Sequence, residues 1–236
     1  MHKANLAFSS LLNLQYTHHR PCFLRISQYD SGNDIDEQKG NMMARIYMIR
    51  HGKAAAGWGE DKNPGLDDTG RAQSEKAADG IQAHVASPLP VLTSPLKRCQ
   101  ETAVPLADRW ETTASIDPRV AELPSPMEDL TKRGEWLRSV MNGAWDQAVP
   151  SQDAHPDYGK TLDDWRAGIV TALLGCTQDT VIFSHFIAIN VAVGHATKDN
   201  SVLCFKPDNG SITIFETDGE TLSLVSLGTE ADTKVN

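Results

Sequence analysis

From residue 44 onward, short apolar runs rich in β-formers alternate with longer stretches of helical periodicity, and this alternation limits the fold more than any other feature. Ile46-Tyr47-Met48-Ile49 reads as a short buried strand. Asp67-Asp68-Thr69 offers capping groups for a helix to about Val85, with Ala77, Ile81 and Val85 on one face. Pro88 and Pro90 stop it, and Val91-Leu92-Thr93 is a second strand. Ser94-Pro95 predicts the next helix start, with Ser as cap and Pro in the first turn. Leu96, Cys99, Ala103, Leu106 and Trp110 mark that helix's apolar face, and Pro105 predicts a kink or break within it. The Thr161–Asp164 capping spacing opens a further helix with Leu162, Trp165, Ile169 and Leu173 inward. Thr180-Val181-Ile182-Phe183 is a third strand. Ile212–Phe215 and Leu222–Val225 flank Asp218-Gly219, a hairpin signal. The pattern predicts an α/β protein of three layers, α/β/α, with a mostly parallel central sheet covered on both faces.

The first 43 residues differ from the rest. Residues 1–29 hold no Asp or Glu, and a polar linker-like stretch follows at Asp30–Glu37. Three readings fit: a targeting segment, a weak signal-peptide core at Ala4–Leu14, or translation that begins at Met42 or Met43. The last is preferred, and each leaves 44–236 as the working domain, with 1–43 a tail that is disordered or absent from the mature protein. The 236 residues carry a net charge of −9 and no Lys/Arg run, which argues against a nucleic-acid partner. No apolar stretch reaches the roughly 18 residues that span a bilayer, so no membrane role is expected. Four scattered cysteines (Cys22, Cys99, Cys176, Cys204) lack any zinc spacing and read as reduced thiols of a cytoplasmic protein.

Ligands of open α/β sheets bind beyond the carboxyl ends of the strands. The first strand runs into Arg50-His51-Gly52, the second into Ser94-Pro95 and a helix turn bearing Arg98, and the third into Ser184-His185. Each central strand therefore delivers an Arg or a His to one edge. Two guanidinium forks suit the oxygens of a phosphoryl group and the charge that spreads over them during transfer. A neutral imidazole is a competent nucleophile near pH 7 when its other nitrogen donates to a backbone carbonyl. Gly52 permits close backbone approach, His185 can donate to the phosphate, and helix N-termini near Ser94 and Phe186 add N–H donors. A carboxyl group is the usual acid for a departing alkoxide.

Ile49-Arg50-His51-Gly52 resembles the R-H-G signature of the histidine-phosphatase (phosphoglycerate mutase-like) superfamily. Thr93–Ala103 resembles its S-P-x-x-R-x-x-x-T-A segment, Phe183-Ser184-His185 its second-histidine strand end, and Leu66–Gln73 its L-T-x-x-G-x-x-Q helix start. The four segments appear in the family's order between residue 45 and about residue 216. The resemblance implies that His51 is a nucleophile transiently phosphorylated, that Arg50, Arg98 and His185 complete a phosphate pocket, and that Glu122, in Ala121-Glu122-Leu123-Pro124, is the acid/base. It also implies that no metal or organic cofactor is needed, and a small-molecule or protein phosphomonoester as substrate.

The chain departs from the family in two places. Phe186 follows His185 where many members have Gly, and Lys53-Ala54-Ala55-Ala56-Gly57-Trp58 replaces the Glu-Ser and Asn of the mutase branch. A phosphomonoester hydrolase is therefore the preferred reading, ahead of a phosphoglycerate mutase-type phosphotransferase and of a weakly catalytic phospho-ligand or protein-binding module. Plainer readings stand beside the sharp ones. Glu128 or Asp129 could replace Glu122 as acid; Trp58 and Phe186 are pocket or core; Lys53 reads as solvated and Ser184 as structural. Glu101 and Thr102 read as supports for the Arg98 loop, and Asn209-Gly210-Ser211 as a turn into the final hairpin with a possible place behind the phosphate.

Overall fold

The computed structural model describes residues 43–57, 60–148 and 157–231. The readings of the tail to residue 42, of Cys22, of Trp58 and of part of the 124–160 insertion lie outside them. Six strands and five α-helices follow in the order β1 (Ala44–Arg50), α1 (Asp68–His84), β2 (Val91–Thr93), α2 (Lys97–Arg109), β3 (Ser115–Ile116), α3 (Leu130–Val140), α4 (Tyr158–Leu174), β4 (Thr180–Ser184), α5 (Phe186–Thr197), β5 (Ile212–Thr217) and β6 (Leu222–Ser226). The sheet order is β3-β2-β4-β1-β5-β6. The first four run parallel, while β5 pairs antiparallel with β1 and β6 antiparallel with β5.

Strand alternation builds the three layers. Ile46 and Met48 of β1 face the core shared with α3, α4 and α5, while Tyr47 and Ile49 face the core shared with α1 and α2. Phe183 of β4 lies under α1 and α2, and its neighbour Ile182 lies under the other helices. Burial of each such side chain stabilises the fold by about 1.5–3 kcal/mol before ordering costs. The chain turns into the final hairpin through Gly219, whose φ of +90° favours glycine.

Helix boundaries differ from the sequence expectation in three places. Asp67 does cap α1, its side chain accepting the Gly70 N–H at 2.7 Å. α2, however, starts at Lys97 rather than beside Pro95, with Leu96 at its N-cap, while Ser94 is buried with its hydroxyl beside His185. Pro105 neither ends nor divides α2, which runs unbroken from Lys97 to Arg109. α4 begins at Tyr158, so Thr161 is inside the helix, and its hydroxyl donates back to the Asp157 carbonyl instead of capping. No sequence signal was read for β3 or α3; α3 is capped by Asp129, whose carboxylate accepts the N–H groups of Thr131 and Lys132.

Candidate active site

The sheet order places the ends of β2 and β1 on either side of β4. Register then sets their heights: Arg50 pairs with Ser184, and Thr93 with Phe183. The ladder extends one step past the strands, with His51 N–H donating to the Ser184 carbonyl at 3.0 Å and Ser94 N–H to the Phe183 carbonyl at 3.0 Å. His51, Ser94 and His185 therefore meet at one edge, the edge predicted for them.

The His51 ring is held at both nitrogens. Nδ1 lies 2.7 Å from the Gly52 carbonyl and so must donate to it. Nε2 then carries the lone pair, and Arg98 Nε–H donates to it at 3.1 Å. Burial and, after it, the Arg98 and Arg50 cations depress the His51 pKa well below the usual histidine range, so the ring is neutral at pH 7. Three further bonds fix its backbone. Asn209 Nδ2 donates to the His51 carbonyl at 2.8 Å, Thr102 Oγ1 accepts the Gly52 N–H at 3.0 Å, and Thr102 donates to the Arg98 carbonyl at 2.6 Å. Thr102 thus ties the His51 loop to the Arg98 turn, the supporting place read for it. Gly210, at φ +76°, returns its N–H to the Arg50 carbonyl at 2.9 Å, so the turn before β5 also stands behind the site.

Arg50 is buried, donates from Nη1 to the Pro207 carbonyl at 2.8 Å, and stacks its guanidinium 4.8 Å from the Phe186 ring centroid. Its Nε has no hydrogen-bond partner among the described residues. Burial pushes its pKa down to about 10, which still leaves it charged. Phe186 is therefore core beneath Arg50 rather than pocket wall. A cavity of about 380 Å³ opens over His51, Arg50 and Arg98, with Lys53, Asp67, Arg133 and Asp208 also on its walls. Among the described residues, its apolar lining consists of small residues such as Ala54, Ala55 and Pro64. Lys53 is exposed and pairs with Asp67 at 2.9 Å, as a solvated lysine does. Arg133 comes from α3, and nothing in its sequence neighbourhood marks it.

Glu122 and His185 do not line this cavity. Glu122 is buried; Oε1 accepts the Leu123 N–H at 3.0 Å, and Oε2 has no hydrogen-bond partner among the described residues. His185 is fully buried, with Nε2 2.7 Å from Ser94 Oγ and Nδ1 3.9 Å from Glu122 Oε2. Burial raises the Glu122 pKa against the pull of Arg98, and burial together with Arg98 lowers that of His185. Both shifts favour neutral forms, so the 3.9 Å approach is not an ion pair. The rings of His51 and His185 meet edge to face at 5.2 Å. The alternative acids are otherwise engaged: Glu128 pairs with Lys62 at the surface, and Asp129 caps α3. Ser184 donates to the Val120 carbonyl at 2.8 Å, a structural contact. No group of His, Cys, Asp and Glu among the described residues could hold a metal ion. No helix among them is long and apolar enough to cross a membrane.

A neutral, tautomer-fixed imidazole between two guanidinium groups at the floor of a polar cavity can bind a tetrahedral oxyanion and attack it. The sequence matches the family model of the histidine phosphatase superfamily (branch 1) over residues 46–230. A probable phosphoglycerate mutase of Yersinia enterocolitica is 26% identical over 162 residues, which span 62% of this chain and 72% of the relative. A putative alpha-ribazole-5'-P phosphatase from Escherichia coli shares the fold with a TM-score of 0.58 at 17% identity, over 81% of this chain and 99% of that one. A mycobacterial glucosyl-3-phosphoglycerate phosphatase does so with a TM-score of 0.57 at 18% identity, over 80% and 100% of the two chains. The chain belongs to the histidine phosphatase superfamily, branch 1.

Proposed function

We propose that the protein is a metal-independent phosphomonoester hydrolase that works through a phosphohistidine at His51. The observation that carries this reading is the His51 ring itself. Nδ1 is committed to the Gly52 carbonyl, so the nucleophilic lone pair sits on Nε2, beside Arg98 and at the cavity floor. In the first step Nε2 attacks phosphorus in line as the bond to the leaving oxygen breaks. Arg98 swings its N–H from Nε2 to a phosphoryl oxygen, and Arg50, whose Nε has no hydrogen-bond partner among the described residues, supplies a second donor. Glu122 gives its proton to the leaving oxygen, then takes one from the water that cleaves the phosphohistidine. Glu122 and His185 do not border the cavity, so the leaving oxygen must come within reach of Glu122 Oε2 before the proton is transferred.

The small polar cavity favours a compact, charged phosphomonoester over an apolar one. A phosphoglycerate mutase-type reaction is the second reading, favoured by the Yersinia relative's name. The replacement of the mutase branch's Glu-Ser and Asn by Lys53-Ala54-Ala55 weighs against it. The test is hydrolysis of p-nitrophenyl phosphate in EDTA by wild type and His51→Ala. Turnover that survives EDTA and disappears in His51→Ala is expected. Turnover that persists in His51→Ala would sink the mechanism.

A further inference from the structure

Ser94 was read as a helix cap, yet its hydroxyl is directed into the protein. It has no exposed surface and lies 2.7 Å from His185 Nε2. Ser94, His185 and Glu122 line up as hydroxyl, imidazole and carboxyl, an order that elsewhere activates a serine nucleophile. The proposed nucleophile is His51, so Ser94 need not serve as one. The row has another use.

The hydrogen-bond inventory decides where the single proton of the neutral His185 ring resides. Ser94 Oγ accepts the Leu96 N–H at 3.2 Å, so one of its lone pairs is occupied. Its own proton needs an acceptor. Near it are His185 Nε2 and the Cys99 thiol, and Cys99 Sγ, 3.2 Å from the Ser184 carbonyl, directs its own proton there. If Nε2 carried the ring proton, the Ser94 hydroxyl would keep only a sulfur as acceptor. If instead Ser94 donates to Nε2, its hydroxyl proton has a nitrogen acceptor, and His185 presents Nδ1–H toward the carboxyl with both groups open to a third atom.

We infer that Ser94 is a positioning residue that holds His185 as the Nδ1–H tautomer, so that Nδ1–H and Glu122 Oε2 converge on one oxygen of the substrate. Nδ1 and Oε2 are 3.9 Å apart, too far to bond each other. A single oxygen about 2.8 Å from each bridges that span, the ordinary length of such hydrogen bonds. Oε2 has no partner among the described residues, and Nδ1 has besides it only Cys99 Sγ at 3.8 Å. The groups facing the His185 ring are Glu122, His51, Arg98, Arg50 and Cys99. The inference rests on the phosphatase reading for its consequence in turnover, but the tautomer itself does not.

The experiment pairs ring nitrogen-15 NMR of the full chain with kinetics on p-nitrophenyl phosphate and an alkyl phosphate. The His185 signals are identified by their loss in His185→Gln. Wild type should show a protonated Nδ1 and a bare Nε2 for His185, and Ser94→Ala should show a mixture of tautomers. Ser94→Ala should lower kcat about tenfold, the equivalent of one hydrogen bond, with KM within twofold of wild type. A protonated Nε2 in wild type, a kcat unchanged in Ser94→Ala, or a loss confined to KM would each overturn the inference. If Ser94→Ala does not fold, the wild-type spectrum still decides. Turnover that persists in His51→Ala would defeat the phosphatase reading and leave the tautomer standing, so the two failures are separable.

Discussion

Gly70→Ala should damage the site from a helix that contributes no side chain to the chemistry. Gly70 lies in the first turn of α1, and an ideal Cβ built there falls 2.1 Å from the Lys53 carbonyl oxygen. A carbon and a carbonyl oxygen rarely approach closer than about 3.3 Å, so roughly 1.2 Å of movement is needed. The chain has little room to provide it. The Lys53 carbonyl accepts the Asp67 N–H at 3.0 Å, the Lys53 N–H donates to Gln73 Oε1 at 2.8 Å, and an ideal Cβ on Gly52 would stand 2.4 Å from the Gly70 carbonyl. Backbone faces backbone on both sides. Such overpacking costs about 3 kcal/mol at the upper end of its usual range, and alanine's better helix propensity returns about 1 kcal/mol. The net loss should be about 2 kcal/mol in urea unfolding. Gly52 carries the carbonyl that fixes the His51 tautomer, so a shift near 1 Å should also cut turnover by about a hundredfold. Gly168→Ala is the control. Its ideal Cβ meets nothing nearer than Arg119 at 3.9 Å within α4, so stability should rise by up to about 1 kcal/mol. A Gly70→Ala protein with wild-type unfolding midpoint and turnover would refute the close-approach reasoning.

Glu122→Gln should slow hydrolysis of alkyl phosphates more than of aryl phosphates, since aryl leaving groups need less protonation; equal slowing, read from kcat for both, would assign the acid elsewhere. Thr102→Val removes the acceptor of the Gly52 N–H and the donor to the Arg98 carbonyl, and should cost about 2 kcal/mol in urea unfolding together with a lower kcat; a change in neither would show the tie to be idle. His51 and His185 both have depressed pKa values, so the unfolded chain binds more protons than the folded one below about pH 6.5. Their contribution is complete above that pH and falls as pH drops toward their folded values, by up to about 1.4 kcal/mol per unit for each, while Glu122, whose pKa is raised, acts in the opposite sense above about pH 4.5. Unfolding free energy measured at pH 7.5 and 5.5 should therefore be lower at the acid end, and His51→Gln should flatten the slope; a flat wild-type profile would contradict the burial of both rings as neutral groups.

The sheet was legible because strand signals are local. The runs Ile46–Ile49, Val91–Thr93 and Thr180–Phe183 each need only their own composition to be recognised, and all three are strands within a residue or two of their expected bounds. The two-residue β3 has no such run: Ser115 and Ile116 are both exposed, and pairing with β2 alone makes them a strand. Capping signals misled where a tertiary partner competed for the same hydroxyl. Ser94 has the composition of a cap, and its Oγ does accept the Leu96 N–H, but the same hydroxyl also meets His185, ninety-one residues away, and α2 starts only at Lys97. Thr161 has capping spacing too, yet the Tyr158 and Leu162 side chains fill the core next to it, and helix therefore begins before it.

The site divides along the same line. Arg50, His51, Arg98 and His185 could be placed together from sequence because each follows a strand that belongs to one parallel set, and the carboxyl ends of parallel strands share an edge. Which of them reaches the cavity is a different kind of fact. It depends on tertiary packing around the strand ends, which no motif records. His51, Arg50 and Arg98 border the cavity, whereas Glu122 and the fully buried His185 do not, although Glu122 is no more covered than His51. Burial at that depth is what raises one pKa and lowers the other. Burial therefore acts on nucleophile and acid alike, and pushes both His51 and Glu122 toward their neutral forms. A carboxyl whose pKa is raised by burial keeps its proton to a higher pH than the same group in water, against the pull of Arg98, and is the better placed to give it to a departing oxygen.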